Sequence, residues 1–338
     1  NIAILLLNSI PDTKLNLADP LAGSGIRSLR FLKELKKGKI KSLQVNDHKE
    51  TFPQLFRKQL RLNKIKEPKT LSLDNEDASL SLLHGTGFDY IEIDPFGSPN
   101  PFLAAAVARI SRNGILAITC TDTAALTGNY QAATQRKYWA KPLKNYLMHE
   151  LGLRILIRKV QLQGAQFEKA LTPILAYFKD HYYRIYFRTE KGKQHCDQLL
   201  KQHQFFLFCS KCQRFQGSAR NWRICRCGTE MEYAGPLWTG ALLEPELLRT
   251  MAQQNTLHNT FPEEQKFLEV LAEEARFPDA GFYDVHAWAR KAHREAPSFA
   301  QVFKAIPGAR THFSPTGFKT KVDQEKVLRR LPALTTLG

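Results

Sequence analysis

Phe88-Asp89-Tyr90-Ile91-Glu92-Ile93-Asp94-Pro95-Phe96-Gly97-Ser98-Pro99 starts as an alternating, then apolar, run and ends in an acid, a proline, an aromatic and a glycine turn. The run reads as a buried parallel strand, which puts Asp94 at its carboxyl end. Open α/β sheets hold their ligands at that end. An acid, Pro95 and Phe96 in succession suit the gripping of a flat base through its exocyclic amine. A carboxylate and nearby carbonyls accept hydrogen bonds from the amine while an aromatic face stacks on the ring. Such an amine is a poor nucleophile, because its lone pair is delocalised into the ring. A carboxylate able to take its proton would correct that. The plainer reading is a strand ending in a Pro-Gly turn with Asp94 as a turn residue.

Upstream, residues 15–18 form a short strand leading into Asp19-Pro20-Leu21-Ala22-Gly23-Ser24-Gly25-Ile26-Arg27, and residues 28–37 carry helical spacing. Strand, glycine turn and helix open a nucleotide-binding fold, in which glycines such as Gly23 let backbone approach the ligand. The turn lacks the full dinucleotide pattern and has the acid Asp19 at the strand end, a combination that favours S-adenosylmethionine over NAD. A second strand, residues 42–46, ends in Asp47-His48, 22 residues beyond Gly25. An acid there is placed to bind ribose hydroxyls, and it can also cap the helix at residues 51–62. After a third strand, Asp77 can accept from an adenine amine and Ala78 can offer its backbone N–H. Residues 101–110 are helical and residues 114–119 form the fifth strand. The basic-aromatic stretch Arg136-Lys137-Tyr138-Trp139-Ala140-Lys141 offers phosphate and base contacts, or else a solvated helix with inward aromatics. Residues 155–162 and 174–179 read as two last strands, completing a seven-stranded sheet with an antiparallel edge. The chain thus reads as an α/β methyltransferase-like (Rossmann-like) domain over residues 1–180, followed by a smaller α+β domain over residues 181–338.

In the second region residues 182–188 read as a strand and 191–204 as a helix. A strand at residues 205–208 feeds Cys209-x2-Cys212, with Cys225-Arg226-Cys227 after twelve intervening residues. Four thiolates in two close pairs match a tetrahedral structural zinc within a segment of residues 205–230. Cys120 and Cys196 stand apart as packed residues. Three helical patterns and a hairpin over residues 260–322 give a winged-helix-like end. Residues 286–338 hold ten Lys/Arg against three Asp/Glu, an asymmetry that a phosphate-contacting face explains; Arg310 and Lys319 are candidates for it.

The whole chain has 338 residues, 49 Lys+Arg against 32 Asp+Glu, and a net charge of +17. A polyanion is the leading partner and an acidic membrane surface the lesser one. No apolar run approaches the roughly 20 residues a membrane span needs. Six cysteines, four of them clustered, suit a reducing cytosol.

These stretches together resemble the tRNA guanine-N2 methyltransferases that act at position 26 of tRNA. The resemblance rests on the Asp19–Arg27 turn, Asp94-Pro95-Phe96-Gly97, Thr119-Cys120-Thr121-Asp122, Tyr138-x-Ala140-Lys141-Pro142, His149-Glu150, Gly235-Pro236-Leu237-Trp238-Thr239-Gly240 and Gly317-Phe318-Lys319-Thr320. It implies S-adenosyl-L-methionine as cofactor, with Arg27 on the methionine carboxylate, Asp47 on the ribose, Asp77 and Ala78 on the adenine, and Asp94 as acid-base residue. It implies a tRNA partner, zinc on the four cysteines and no DNA substrate; the protein is expected to be cytoplasmic, its oligomeric state unknown with a monomer favoured. It also implies a segment ahead of Asn1 carrying a further Arg and aromatics. Two alternatives stay open: an amino-methyltransferase acting on adenine or cytosine in DNA, and a zinc and winged-helix binding protein that has lost the activity.

Overall fold

The computed structural model describes residues 1–334. A seven-stranded mixed sheet forms its centre, in the order β3-β2-β1-β4-β5-β7-β6. Its strands are β1 (Leu15–Asp19), β2 (Ile40–Asn46), β3 (Leu71–Asp74), β4 (Phe88–Ile93), β5 (Ile110–Cys120), β6 (Lys169–Lys179) and β7 (Tyr182–Lys191). The first five are parallel and β7 runs antiparallel to both of its neighbours. Because β1 lies between β2 and β4, chain order reverses there. The crevice beyond the ends of β1 and β4 is the place such a sheet offers a ligand. Both strands are buried along almost their whole length, polar residues at Asp19 and Glu92 included.

Helices α1 (Ile2–Ser9), α2 (Ile26–Glu34), α3 (Phe52–Leu62), α4 (Ala78–His84), α5 (Leu103–Arg109), α6 (Thr123–Leu126), α7 (Gln131–Tyr138) and α8 (Met148–Gln166) connect or cover these strands. Gly25 caps α2 with φ +77°, and a Cβ there would stand 2.3 Å from the Phe56 ring. Only glycine fits both the left-handed backbone and that close approach.

Two expectations are corrected here. Residues 155–162 are not a strand but the middle of the 19-residue α8. That helix is buried on every side, so its apolar residues carry no periodicity that separates helix from strand. The seventh strand is β7 instead, which the sequence had placed in the second region. A boundary at residue 180 would cut the tight hairpin joining β6 to β7, whose strands pair from Lys179↔Tyr182 back to Lys169↔Lys191. The antiparallel strand is also interior, with β6 at the edge.

After β7 come α9 (Lys193–Leu200) and a second sheet of β8 (His203–Phe208), β9 (Phe215–Ser218) and β10 (Glu232–Trp238). Helix α8 packs on β6 and on β10, and Phe206, Leu237 and Trp238 are buried in the same core as the large sheet. Helices α10 (Pro245–His258) and α11 (Pro262–Glu274) follow, α10 packing on α1. The last part runs β11 (Tyr283–Asp284), α12 (Val285–Ala292), α13 (Phe299–Ala305), β12 (Ala309–Arg310), β13 (Gly317–Lys319) and α14 (Gln324–Leu334). Its three strands lie in the order β11-β13-β12 around a small core of Tyr283, Trp288, Val302, Ile306 and Phe318.

Candidate active site

Asp94 follows the last residue of β4, and Asp19 ends β1, at the reversal of chain order. Arg27, in the first turn of α2, spans the gap between the strands. One arm of its guanidinium reaches Asp94 at 2.6 Å and the other reaches Glu92 at 2.8 Å. Glu92 is fully buried, and it also takes hydrogen bonds from the Tyr90 hydroxyl at 2.6 Å and from Arg184 of β7 at 2.7 Å. Burial alone would raise the pKa of Glu92, but Arg184 and Arg27 hold it below its ordinary value. Arg184 in turn donates to Thr119 Oγ1 at 2.7 Å. This buried network fixes Arg27 from below.

The turn after Asp94 is held by β5. Gly97 N–H donates to Thr121 Oγ1 at 2.7 Å, and Thr121 N–H donates to Gly97 O at 3.0 Å. Gly97 takes φ +82°, which a side chain would strain. Locked in this way, the turn buries Pro95 and projects Phe96 entirely into solvent, at 103% relative exposure. An aromatic left wholly in water beside a carboxylate is costly unless something flat covers it.

A cavity of about 810 Å³ runs from Asp19, Gly23 and Asp47 past Arg27 and Asp94 to Phe96. A second, of about 440 Å³, meets Arg27, Asp94 and Thr121 from the side of Asn1, Lys179 and Tyr182. Asp94 is therefore reachable from two directions. Asp47 accepts from Gly23 N–H at 2.8 Å, which closes the glycine turn against the end of β2. Asp19 is buried and accepts a hydrogen bond from the Ser28 hydroxyl at 2.7 Å; burial pushes its pKa up to about 6, against the pull of Arg27 and Ser28.

Other expected site residues fall elsewhere. His48 is exposed and does not line the larger cavity; its neighbour Lys49 does. Asp77 caps α4, accepting from Ser79 N–H at 2.8 Å and Leu80 N–H at 3.2 Å, and Ala78 is the buried first residue of that helix. Neither lines the cavity. Arg136 is exposed, and Lys137 pairs with Asp122 at 2.9 Å. Asp122 also accepts from the Tyr138 hydroxyl at 2.9 Å, so the Thr119–Asp122 stretch anchors α7. Arg310 is exposed and its guanidinium lies 4.7 Å from the Phe299 ring centre. Lys319 is corrected outright. It is only 4% exposed and bonds to Glu150 at 3.0 Å and to the Asp279 carbonyl at 2.9 Å, so it faces no phosphate. All three residues of this short strand are buried, which its sequence does not signal.

Sequence reasoning missed Glu92, Arg184 and Thr121. For Glu92 the available signal was a charged residue in the apolar half of β4, between Ile91 and Ile93. Arg184 was hidden by the misplacement of β7.

The four cysteines converge, all their sulfurs within 4.8 Å of one another. Cys209 and Cys227 are 3.5 Å apart, and Cys212 and Cys225 are 3.4 Å apart. Four sulfurs at ~2.3 Å from a tetrahedral zinc would stand about 3.8 Å apart. The donor set and spacing fit that ion. Cys120 is a packed thiol, its pKa pushed up to about 12 by burial.

A family model described as N2,N2-dimethylguanosine tRNA methyltransferase matches residues 3–331. The chain is 34% identical over 325 residues to the tRNA (guanine(26)-N(2)/guanine(27)-N(2))-dimethyltransferase of Aquifex aeolicus, covering 94% of this chain and 82% of that one. It is 35% identical over 352 residues to the tRNA (guanine(26)-N(2))-dimethyltransferase of Methanobrevibacter smithii, covering 99% and 89%. Among solved structures it resembles Trm1 from Pyrococcus horikoshii in complex with S-adenosyl-L-methionine, with a TM-score of 0.86, 29% identity, and coverage of 98% and 91%.

Proposed function

Because the chain belongs to the N2,N2-dimethylguanosine tRNA methyltransferase family, we propose that it transfers methyl groups, one or two, from S-adenosyl-L-methionine to the N2 amine of guanine 26 in tRNA. The observation that carries this reading is Asp94 at the junction of the two cavities beside the fully exposed Phe96. S-adenosyl-L-methionine, bound in the larger cavity, supplies an electrophilic methyl group on sulfonium sulfur. Asp47 would hold the ribose and Arg27 the methionine carboxylate. As Arg27 turns to that carboxylate, Glu92 keeps its other arm anchored and Asp94 is released for the amine. Asp94 and the Pro95 carbonyl would orient the N2 amine, with Phe96 stacked on the guanine. The amine nitrogen bonds to the methyl carbon, the carbon–sulfur bond breaks, and the N2 proton passes to Asp94. Near-attack positioning is the main source of rate here, at most about 7–11 kcal/mol.

A base within a helical stack must be extruded, at a few kcal/mol. Contacts with tRNA phosphates far from the chemistry offset that cost. The helix–strand–helix–helix–strand–strand order from α11 to β13 is that of a winged helix, and with its basic surface it is read as such a contact, alongside a cysteine segment holding structural zinc. Among the described residues no helix is long and apolar enough to cross a membrane, and a tRNA substrate puts the reaction in the cytoplasm.

Labelled-methyl transfer to total tRNA, with the product nucleoside mapped, tests the reading. N2-methylated guanine is expected from the wild type, and Asp94→Ala should lower kcat by roughly 10²–10⁴ while tRNA binding persists. A folded wild type that binds tRNA and S-adenosyl-L-methionine yet transfers nothing would overturn it.

A further inference from the structure

The segment between the end of β8 and the start of β10 carries features that methyl transfer does not use. From residue 209 to 229 there are five basic residues and no acidic one. Two of the five are engaged: Arg214 and Arg226 reach Glu325 of α14 at 2.6 and 2.7 Å, and Arg214 also donates to Cys225 Sγ at 3.7 Å. Lys211, Arg220 and Arg223 are exposed and make no ion pair among the described residues. Between the last two stands Trp222, 61% exposed. An indole held in water at the tip of a metal-fit loop, flanked by two free guanidinium groups, serves no packing purpose.

Behind this tip opens a groove of about 440 Å³, walled by Asn221, Trp222, Tyr233 and Lys141, with Glu230 and Glu232 also along it. Lys141 Nζ lies 4.1 Å from the centre of the Tyr233 ring. The groove is tied to the catalytic turn. Lys141 and Gly235 exchange backbone hydrogen bonds at 2.9 and 2.7 Å, which joins the segment after α7 to β10. At the other end of that segment, Asn100, three residues beyond Gly97, donates to the Lys137 carbonyl at 2.9 Å. Aromatic faces interleaved with cations are how proteins hold unpaired nucleotides, the rings taking bases and the cations phosphates. A protein partner would call for a larger apolar face with fewer charges.

We propose that this groove is a second nucleotide subsite for the tRNA, in which a base other than the target stacks on Trp222 while Lys141, Arg220 and Arg223 hold the adjoining phosphates. The carboxylates of Glu230 and Glu232 supply acceptors for base amines or ribose hydroxyls. The inference rests on the tRNA reading above. Its effect is to fix the register of the strand relative to Asp94.

The test is steady-state methylation of a tRNA carrying guanine 26, with KM, kcat, S-adenosyl-L-methionine affinity and thermal melting measured on the full chain. Trp222→Ala should raise KM for tRNA about tenfold, with kcat at saturation, cofactor affinity and melting unchanged. Trp222→Phe should recover most of the loss, since a phenyl ring also stacks. Arg220→Ala with Arg223→Ala should lower the slope of log affinity against log salt by about 1.4, at ~0.7 per phosphate on a single strand. A KM within twofold of wild type in Trp222→Ala, or an unchanged salt slope in the double variant, overturns the subsite. An inactive wild type would instead sink the underlying tRNA reading.

Discussion

Asp19 shows how burial sets chemistry at a single residue. With its pKa near 6 instead of the ordinary 3.8, the folded protein without ligand holds a proton there that the unfolded chain has shed. The neutral carboxyl is therefore a source of stability that is present below pH 4 and lost as pH rises through 6. The gap corresponds to about 3 kcal/mol by pH 7. Asp19→Asn, which keeps a neutral side chain of the same size, should raise the melting temperature at pH 7 and leave it nearly unchanged at pH 4. The same shift predicts a cofactor effect. If the ionised form of Asp19 is the one that meets the methionine ammonium, binding below pH 6 must first expel the proton. Affinity for S-adenosyl-L-methionine should then fall about tenfold for each pH unit below 6, and calorimetry between pH 5 and 7 reads this directly. Flat affinity across that range would mean that Asp19 shapes the turn without serving the ligand.

At the scale of elements, the cysteine loop depends most on something beyond its own packing. Its private core is only Leu207, Met231 and the buried Cys209 and Cys225, too little apolar surface to order some twenty residues. Zinc on the four sulfurs would supply the missing stabilisation. A strong chelator, or Cys212→Ser, should expose the Arg220 and Arg223 bonds to trypsin, while the melting of the large sheet moves little. Resistance of the loop to trypsin after chelation would show that packing alone orders it. The elements themselves were unevenly legible. The first five strands and the turn at Gly25 could be read because each apolar run ends in a distinct signal: an acid, a glycine or a proline. The run from Leu153 to Val160 offered no such contrast, since α8 is covered by β6 on one side and β10 on another. Its only helical mark was the Glu150–Arg154 pair at spacing four, whose atoms meet at 2.9 Å. Reading that pair would have freed Tyr182–Lys191 to be the seventh strand. The catalytic turn was legible for a different reason: a carboxylate, a proline and a solvent-facing aromatic are a chemical pattern before they are a structural one. The buried support beneath it, from Glu92 to Arg184, joins residues 92 positions apart, and no local pattern carries such a pairing.

Across the whole molecule, the question is how a basic module distant in sequence is held in register with the catalytic turn. Two buried joints do so, one an ion pair and one a hydrogen-bonded carboxylate. Lys319 of β13 reaches Glu150 of α8, which also binds Arg154 and the Gly281 N–H. Glu274, at the end of α11, takes hydrogen bonds from the Thr311 hydroxyl at 2.7 Å and the His312 backbone at 2.9 Å, and meets the His312 ring at 2.6 Å. The ring's other nitrogen lies 3.3 Å from Phe178 N on β6. Burial alone would raise the pKa of Glu274, yet His312 and Lys319 hold it at about 2, so this joint stabilises the fold above pH 4.5 and is lost as pH falls through 2. The Lys319 joint holds a carboxylate that two buried cations share, since Glu150 pairs with both Lys319 and Arg154. Lys319→Met leaves Glu150 with Arg154 as its remaining cation and should cost less than the roughly 3–5 kcal/mol of a fully stranded charge, seen as a lower melting temperature. Adding Glu150→Gln should deepen that loss, since Arg154, itself fully buried, then lacks its carboxylate partner. If the joint also sets the register of the tRNA, the Lys319→Met protein, assayed below its melting temperature, should keep its affinity for S-adenosyl-L-methionine and lose kcat/KM on tRNA. Methylation at the wild-type rate in that protein would mean that the module's orientation is held by its apolar contacts, Phe282 stacked over Phe313 among them, and that the buried charges serve stability alone.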